Sequence, residues 1–425
     1  MFKKILTTLL SVTLLFSITT VNCENVKAEN ANADKKRAII VVPGIYTSGL
    51  FYCGQTCKKY YKNEAVWLPL DSNHKWRMIK GIAKFRFFYN DLYCDENGKP
   101  VNKNIGLLPE NSQLPYLVDE DIAKYGVANS YKKLVDTLAT HFPKDSVFLY
   151  NYDWRFDIDK AATNLAQEIQ KYDEVVLVGH SLGGIVACRS AVLLQKLGCL
   201  DKIKKYISIA VPYNGTAEAF FVLNKGLLTE NDFMGKIIEI LGVPKIIRNM
   251  AKNCEIAYQM LPNKNYLERA QKKGYLCDKT GHVFDYDRTL EYIKECDFSK
   301  KQDGKIKSFL NAPHAIYDSL IVDGNHILNY LDYHIIAGFG LKTMSLFGID
   351  PKNHENITIE EYVDGDGSIA LNESALPFDN IDSSRVSKVN GRHQFLIGDS
   401  KVIKKIVDII ENNVSKLDTR LNLAA

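Results

Sequence analysis

The run Glu174-Val175-Val176-Leu177-Val178-Gly179-His180-Ser181-Leu182-Gly183-Gly184 constrains this chain more than any other segment. Its aliphatic residues predict a buried strand, and Ile185-Val186-Ala187-Cys188 with Ala191-Val192-Leu193-Leu194 predict a buried helix directly behind it. Between the two stands G-x-S-x-G, the pattern of a strand-to-helix elbow that lifts a serine hydroxyl into the open. Gly179 and Gly183 leave room for the turn, and Gly184 lets the helix lie close. A serine hydroxyl is a weak nucleophile until a neighbouring base takes its proton as it attacks. Ser181 is therefore the candidate nucleophile, and the chain should also carry a base and an acid to orient it.

Strand and helix signals alternate along much of the remaining sequence, which predicts an α/β-hydrolase fold: a mostly parallel sheet flanked by helices. Strands are expected at 37–42, 146–150, 203–210 and 333–337. Helices are expected at 130–142, with Tyr131, Leu134, Val135 and Leu138 on one face, at 161–172, and at 401–410, with Ile403, Ile406, Val407 and Ile410 inward. Two segments break the rhythm and are expected to build a cap: an aromatic-rich insertion at about 51–125 and a second at about 218–331. Both follow strands, so they should hang over the edge of the sheet where open α/β folds bind their ligands. Most of their apolar residues should form each insertion's own core, and the rest make them candidate lids.

At 425 residues the chain is long enough for one such catalytic domain plus a cap. Residues 1–28 read as a secretory signal, because Lys3 and Lys4 precede an apolar run and Val26-Lys27-Ala28 offers small residues for cleavage. Interspersed threonines and serines make that run a poor membrane span. A secreted or extracellular protein is expected. Fifty-four basic residues stand against 50 acidic ones, and removing the signal leaves 51 against 49, a balance that argues for no nucleic-acid partner. Nine cysteines, eight after cleavage, make one or two disulfides plausible in an exported protein. Cys53, Cys57 and Cys94 are the better candidates, while the pairing among these and Cys254, Cys277 and Cys296 stays open. Cys188 should be a free core thiol. A Cys53/Cys57/His74/Cys94 zinc cluster matches no structural zinc spacing, so no metal or organic cofactor is implied.

In this fold the catalytic residues follow in the order serine, acid, histidine. His393 lies between a strand-like stretch and the C-terminal helix, where the base belongs. His334 falls inside a strand and His180 at the variable position of the elbow. Asp366, in Asp364-Gly365-Asp366-Gly367-Ser368, is the candidate acid, with Asp364 in reserve and Asp323 a weaker rival because it precedes the late strand. A calcium-loop reading of that stretch fails, because Ile369 and Ala375 occupy positions that need glycine and glutamate. The oxyanion needs two backbone donors. Leu182 N–H follows the nucleophile, and Ile45 N–H, in Pro43-Gly44-Ile45-Tyr46 after the first strand, is the expected second.

With these residues in hand the chain resembles the lecithin:cholesterol acyltransferase family, which includes phospholipases and phospholipid-dependent acyltransferases. Val41-Val42-Pro43-Gly44, Tyr152-Asp153-Trp154-Arg155, the elbow, Val211-Pro212-Tyr213-Asn214-Gly215-Thr216, Met260-Leu261-Pro262, the Asp364–Ser368 loop and His393-Gln394 match that family's blocks in order. The resemblance implies lipid acyl esters as substrates, Ser181, Asp366 and His393 as the triad, an acyl-enzyme, and transfer to water or an alcohol; peripheral contact with a membrane is left open by the sequence. It does not extend to lid details, since Cys53-x-x-x-Cys57 departs from the family's disulfide-closed loop. Ser368-Ile369-Ala370-Leu371 and Tyr213-Asn214 are further departures away from the chemistry. Trp154 and Arg155 read equally as site-shaping residues or as packing and an ion pair. Outside the resemblance, a general carboxylesterase, a triacylglycerol lipase and an inactive surface-binding scaffold are the rival readings.

Overall fold

The computed structural model describes residues 35–55, 57, 62, 65–67, 90–107, 127–226, 242–308 and 312–421. The expected signal at 1–28 lies outside them, as do Trp76, Phe85, Phe87 and Phe88 of the aromatic insertion and Leu227-Leu228, Phe233-Met234 and Ile237-Ile238 of the second.

Eight of the described strands frame the site: β1 (Arg37–Val42), β2 (Ser146–Leu149), β3 (Glu174–His180), β4 (Ile203–Ile209), β5 (Tyr333–Phe339), β6 (Leu341–Ile349), β7 (Ile357–Gly365) and β8 (Val386–Asn390). Six of them form one sheet in the order β8-β5-β4-β3-β1-β2, with every neighbouring pair parallel. A parallel sheet is covered on both faces, which is why β1 and β3 read as unbroken aliphatic runs. Ile39, Val41, Val176, Val178, Ile207 and Ile209 share one face with Tyr131, Leu134, Val135 and Leu138 of α1 (Val127–His141) and with Ile403, Ile406 and Val407 of the C-terminal helix Ser400–Leu421. Ile40, Val42, Val175 and Leu177 take the other, with Leu165 and Ile169 of α2 (Ile158–Gln170) and Ile185 and Val186 of α3 (Leu182–Lys196). The chain therefore has the α/β-hydrolase architecture, with β1 and β3 adjacent and both ending at the same edge.

One element departs from the sequence expectation. Between β5 and the acid loop, β6 and β7 form an antiparallel pair, and β6 also pairs in parallel with Leu276–Cys277 of the second insertion. Cap and hairpin thus share a three-stranded sheet. Phe220, in α4 (Ala217–Lys225), packs 5.4 Å from Phe347 of β6, so this part of the cap buries its aromatics internally.

Candidate active site

Ser181 occupies the turn between β3 and α3 with φ 54° and ψ −133°, a conformation that side-chain-bearing residues adopt only under constraint. Its N–H donates to Ile209 O at 2.9 Å, which ties the turn to β4. Two neighbours share the positive φ, Tyr46 at 61° in the loop after β1 and Ala210 at 49° at the end of β4. Strain of roughly 1–3 kcal/mol per residue persists only where the surroundings over-determine the backbone, and here three such residues meet at one edge of the sheet.

His393 Nε2 lies 2.9 Å from Ser181 Oγ, and His393 Nδ1 lies 2.8 Å from Asp366 Oδ2. The other carboxylate oxygen, Oδ1, accepts the backbone N–H of Ser368 at 3.0 Å and of Ile369 at 2.7 Å. Because the carboxylate accepts, Nδ1 must carry the proton, which leaves Nε2 free to take one from the hydroxyl. Asp366 is buried and the His393 side chain is only 13% exposed, so the chain of bonds is largely closed to water. Burial pulls the imidazole towards neutrality, but the Asp366 charge and hydrogen bond and the charge of Glu218 outweigh it and leave the His393 pKa raised. The structure thus brings together the three residues expected at 181, 366 and 393. Asp364, the reserve acid, turns away and accepts Gly340 N–H at 2.6 Å. His334 faces Asp332 at 3.9 Å.

The loop carrying Ile45 lies against the serine, since a Cβ added at Gly44 would stand 3.0 Å from Ser181 Cβ. Leu182 is the first residue of α3, where backbone N–H groups have no partner within the helix. The Tyr152-Asp153-Trp154-Arg155 block braces that loop from behind. Tyr152 OH donates to Pro43 O at 2.8 Å, Trp154 Nε1 donates to Ser48 O at 3.2 Å, and Trp154 packs edge-on to Tyr46 at 4.7 Å. Arg155 donates to both oxygens of Asp153, at 2.9 and 2.6 Å, and to Ile105 O at 2.7 Å, so its part is structural.

Two residues here were given no part in the site by sequence reasoning. His180 is fully enclosed, hydrogen-bonded to Tyr131 and to the carbonyl of His393. Glu218, partly buried at the start of α4, hydrogen-bonds Ser368, and burial raises its pKa while the facing His393 lowers it. The position of Glu218 two residues beyond the Gly215-Thr216 turn was the available signal.

The cysteines correct the expected pairing. Cys53 is an exposed free thiol, Cys57 is exposed and hydrogen-bonds Tyr52, and Cys94 is buried and free of a disulfide. Cys53 Sγ instead faces Leu107 O at 3.3 Å. Cys94 shares a hydrogen bond with Cys254, and that bond, helped by the Arg155 charge against the effect of burial, holds the Cys94 thiol below its ordinary pKa. Cys188 is a free core thiol pushed up to about 12 by burial. Among the described residues no group of three or more histidine, cysteine or carboxylate side chains could hold a metal ion, and no helix is long and apolar enough to cross a membrane.

The sequence profile of the lecithin:cholesterol acyltransferase family matches residues 74–322, more than half of the chain. Among solved structures, the chain is similar to one described as the Tle4–Tli4 complex, at 12% identity over 88% of this chain and 98% of that chain, with a TM-score of 0.53. It also aligns with the mature form of the Bacillus licheniformis lipase BlEst2, at 11% identity over 89% of this chain and 93% of that chain, with a TM-score of 0.36. No curated protein matches the chain significantly.

Proposed function

The chain belongs to the lecithin:cholesterol acyltransferase family, and from that premise we propose that it is an exported enzyme that cleaves lipid acyl esters through an acyl-enzyme on Ser181. The observation that carries this reading is the unbroken hydrogen-bonded series from Asp366 through His393 to the strained Ser181 hydroxyl. In the reaction Oγ attacks the acyl carbonyl while His393 Nε2 takes its proton, a transfer worth typically 10²–10⁴-fold in rate. Asp366 stabilises the imidazolium that results. The oxyanion is received by the N–H groups of Ile45 and Leu182, each donor worth roughly 3 kcal/mol of barrier. His393 then returns the proton to the departing lysolipid oxygen. Water or a lipid alcohol, deprotonated by the same imidazole, attacks the acyl-enzyme and frees Ser181. The reaction draws only on side chains and backbone of this chain. Peripheral contact with a lipid surface completes the proposal.

The test is incubation with vesicles of a diacyl phospholipid, with and without a long-chain alcohol. Fatty acid and lysophospholipid are expected, with a new ester when the alcohol is present, and none of them from Ser181→Ala. Hydrolysis without ester formation limits the enzyme to a lipase. Turnover of short soluble esters alone replaces this reading with a general carboxylesterase.

A further inference from the structure

We propose that Tyr131 and His180 are positioning residues that lock the oxyanion loop and the base loop to each other through one proton-ordered chain of hydrogen bonds. The proposal rests on the catalytic reading of Ser181. Gly44 N–H donates to Tyr131 OH at 2.9 Å. Tyr131 OH and His180 Nδ1 are 2.5 Å apart, and His180 Nε2 is 3.1 Å from the backbone O of His393. Four segments distant in sequence, at 44, 131, 180 and 393, are thereby joined.

The chemistry of these groups allows one arrangement of protons. The His393 carbonyl can only accept, so His180 Nε2 carries a hydrogen. His180 is buried and pulled down to about 3, so it stays neutral and Nδ1 is bare. Tyr131 must therefore donate to Nδ1, and its oxygen is left to accept from Gly44. The hydroxyl of Thr47, which also reaches the phenol, can donate to it without changing this order. Tyr131 and His180 are 2% and 3% exposed, so water is not available to replace a missing member. Ring contacts join the same parts: His180 stacks on His393 with centroids 5.0 Å apart, and Tyr131 meets His180 edge-on at 5.6 Å.

Each end of this chain adjoins a proposed catalytic group. Gly44 precedes Ile45, whose N–H is the proposed oxyanion donor, and the acceptor at the far end is the backbone of the proposed base itself. His180 is also the residue before Ser181. Neither Tyr131 nor His180 hydrogen-bonds the Ser181 hydroxyl or the ring nitrogens of His393, which bond each other and Asp366. Their effect is to keep the donor and the base within the tolerance that acyl transfer needs, since a displacement of about 1 Å can cost about 100-fold in rate.

The experiment compares Tyr131→Phe, His180→Leu and His180→Gln with wild type and Ser181→Ala, using a soluble ester and rates normalised to folded, labelled sites. Tyr131→Phe and His180→Leu should lower kcat about 10- to 100-fold with KM within about twofold. His180→Gln keeps one acceptor and one donor and should recover at least tenfold over His180→Leu. Nitrogen-15 spectra of the full chain should show His180 as the Nε2–H tautomer, and Tyr131→Phe should shift its Nδ1 signal. Unchanged kcat per site in Tyr131→Phe, or an Nδ1–H tautomer in the wild type, overturns the proposal. Equal turnover by wild type and Ser181→Ala instead overturns the catalytic reading on which it rests, and the tautomer remains readable in that case.

Discussion

Gly183→Ala tests the geometry of the elbow with a single methyl group. A Cβ at position 183 would stand 2.2 Å from Val42 O, 2.4 Å from Pro43 O and 2.6 Å from Val42 C, all backbone atoms. Real Cβ atoms essentially never approach within 3.0 Å of a neighbour, so the first turn of α3 and the end of β1 must separate by about 1 Å, a shift of the size that costs catalysis about 100-fold. Neither side yields freely. Val42 is in register with Gly179 of β3, and Pro43 O accepts the Tyr152 hydroxyl at 2.8 Å. The displacement should draw apart the proposed oxyanion donors, the N–H groups of Leu182 and Ile45, so the expected loss is that of one such donor, about 10²–10³-fold in kcat with KM little changed. Overpacking should also lower stability by roughly 1–3 kcal/mol. Initial rates on a chromogenic ester, paired with thermal melts, read both effects. Gly106→Ala is the control, since nothing lies within 4 Å of its added methyl, and it should change stability by less than about 0.5 kcal/mol. Wild-type kcat and melting temperature in Gly183→Ala would refute the argument.

Asp366→Asn should lower kcat by about 10⁴, because an amide can donate to Nδ1 and favour the wrong imidazole tautomer; initial rates on the folded variant check it. The base must be neutral to act and its pKa is raised, so kcat/KM should fall on the acid side with a midpoint above the usual histidine value of 6.5. Glu218→Gln removes a negative charge that favours imidazolium, and should move that midpoint to lower pH; an unmoved profile counts against the placement of Glu218. Asp153→Ala leaves the fully buried Arg155 guanidinium without its carboxylate, and urea melts should show a loss of about 3–5 kcal/mol. Its kcat per folded site should change far less than its stability.

The parts of this fold legible in the sequence are those where one physical requirement dominates a short segment. Val175–Val178 must be aliphatic because β3 is covered on both faces, Gly179 and Gly183 must be small because backbones meet there, and Gly184 because the Val211 and Tyr206 side chains close on it. The β6–β7 hairpin escaped because it is half exposed: β7 alternates buried and exposed residues through Ile357, Ile359, Glu361 and Val363, a period-2 signal that a search for continuous runs passes over. Asp366 and Asp364 were separated only by the end of that strand. Asp364 falls within β7 and caps Gly340, while Asp366 falls just beyond it and meets His393. The bonds linking Tyr131, His180 and His393 were out of reach because they span 49 and 213 positions, and nothing local to a histidine inside an elbow tells which carbonyl it will meet. The cysteines failed for a related reason. Cys53, Cys57 and Cys94 are close in sequence, yet Cys94 packs against Cys254 from the cap.

The account stands on Ser181 being the nucleophile. Treating the folded protein with a fluorophosphonate and mapping the adduct by mass spectrometry measures this directly. The predicted result is one adduct, on the peptide that contains Ser181, with none on Ser181→Ala. A folded wild type that takes no label, or a Ser181→Ala variant labelled to the same extent, would contradict it.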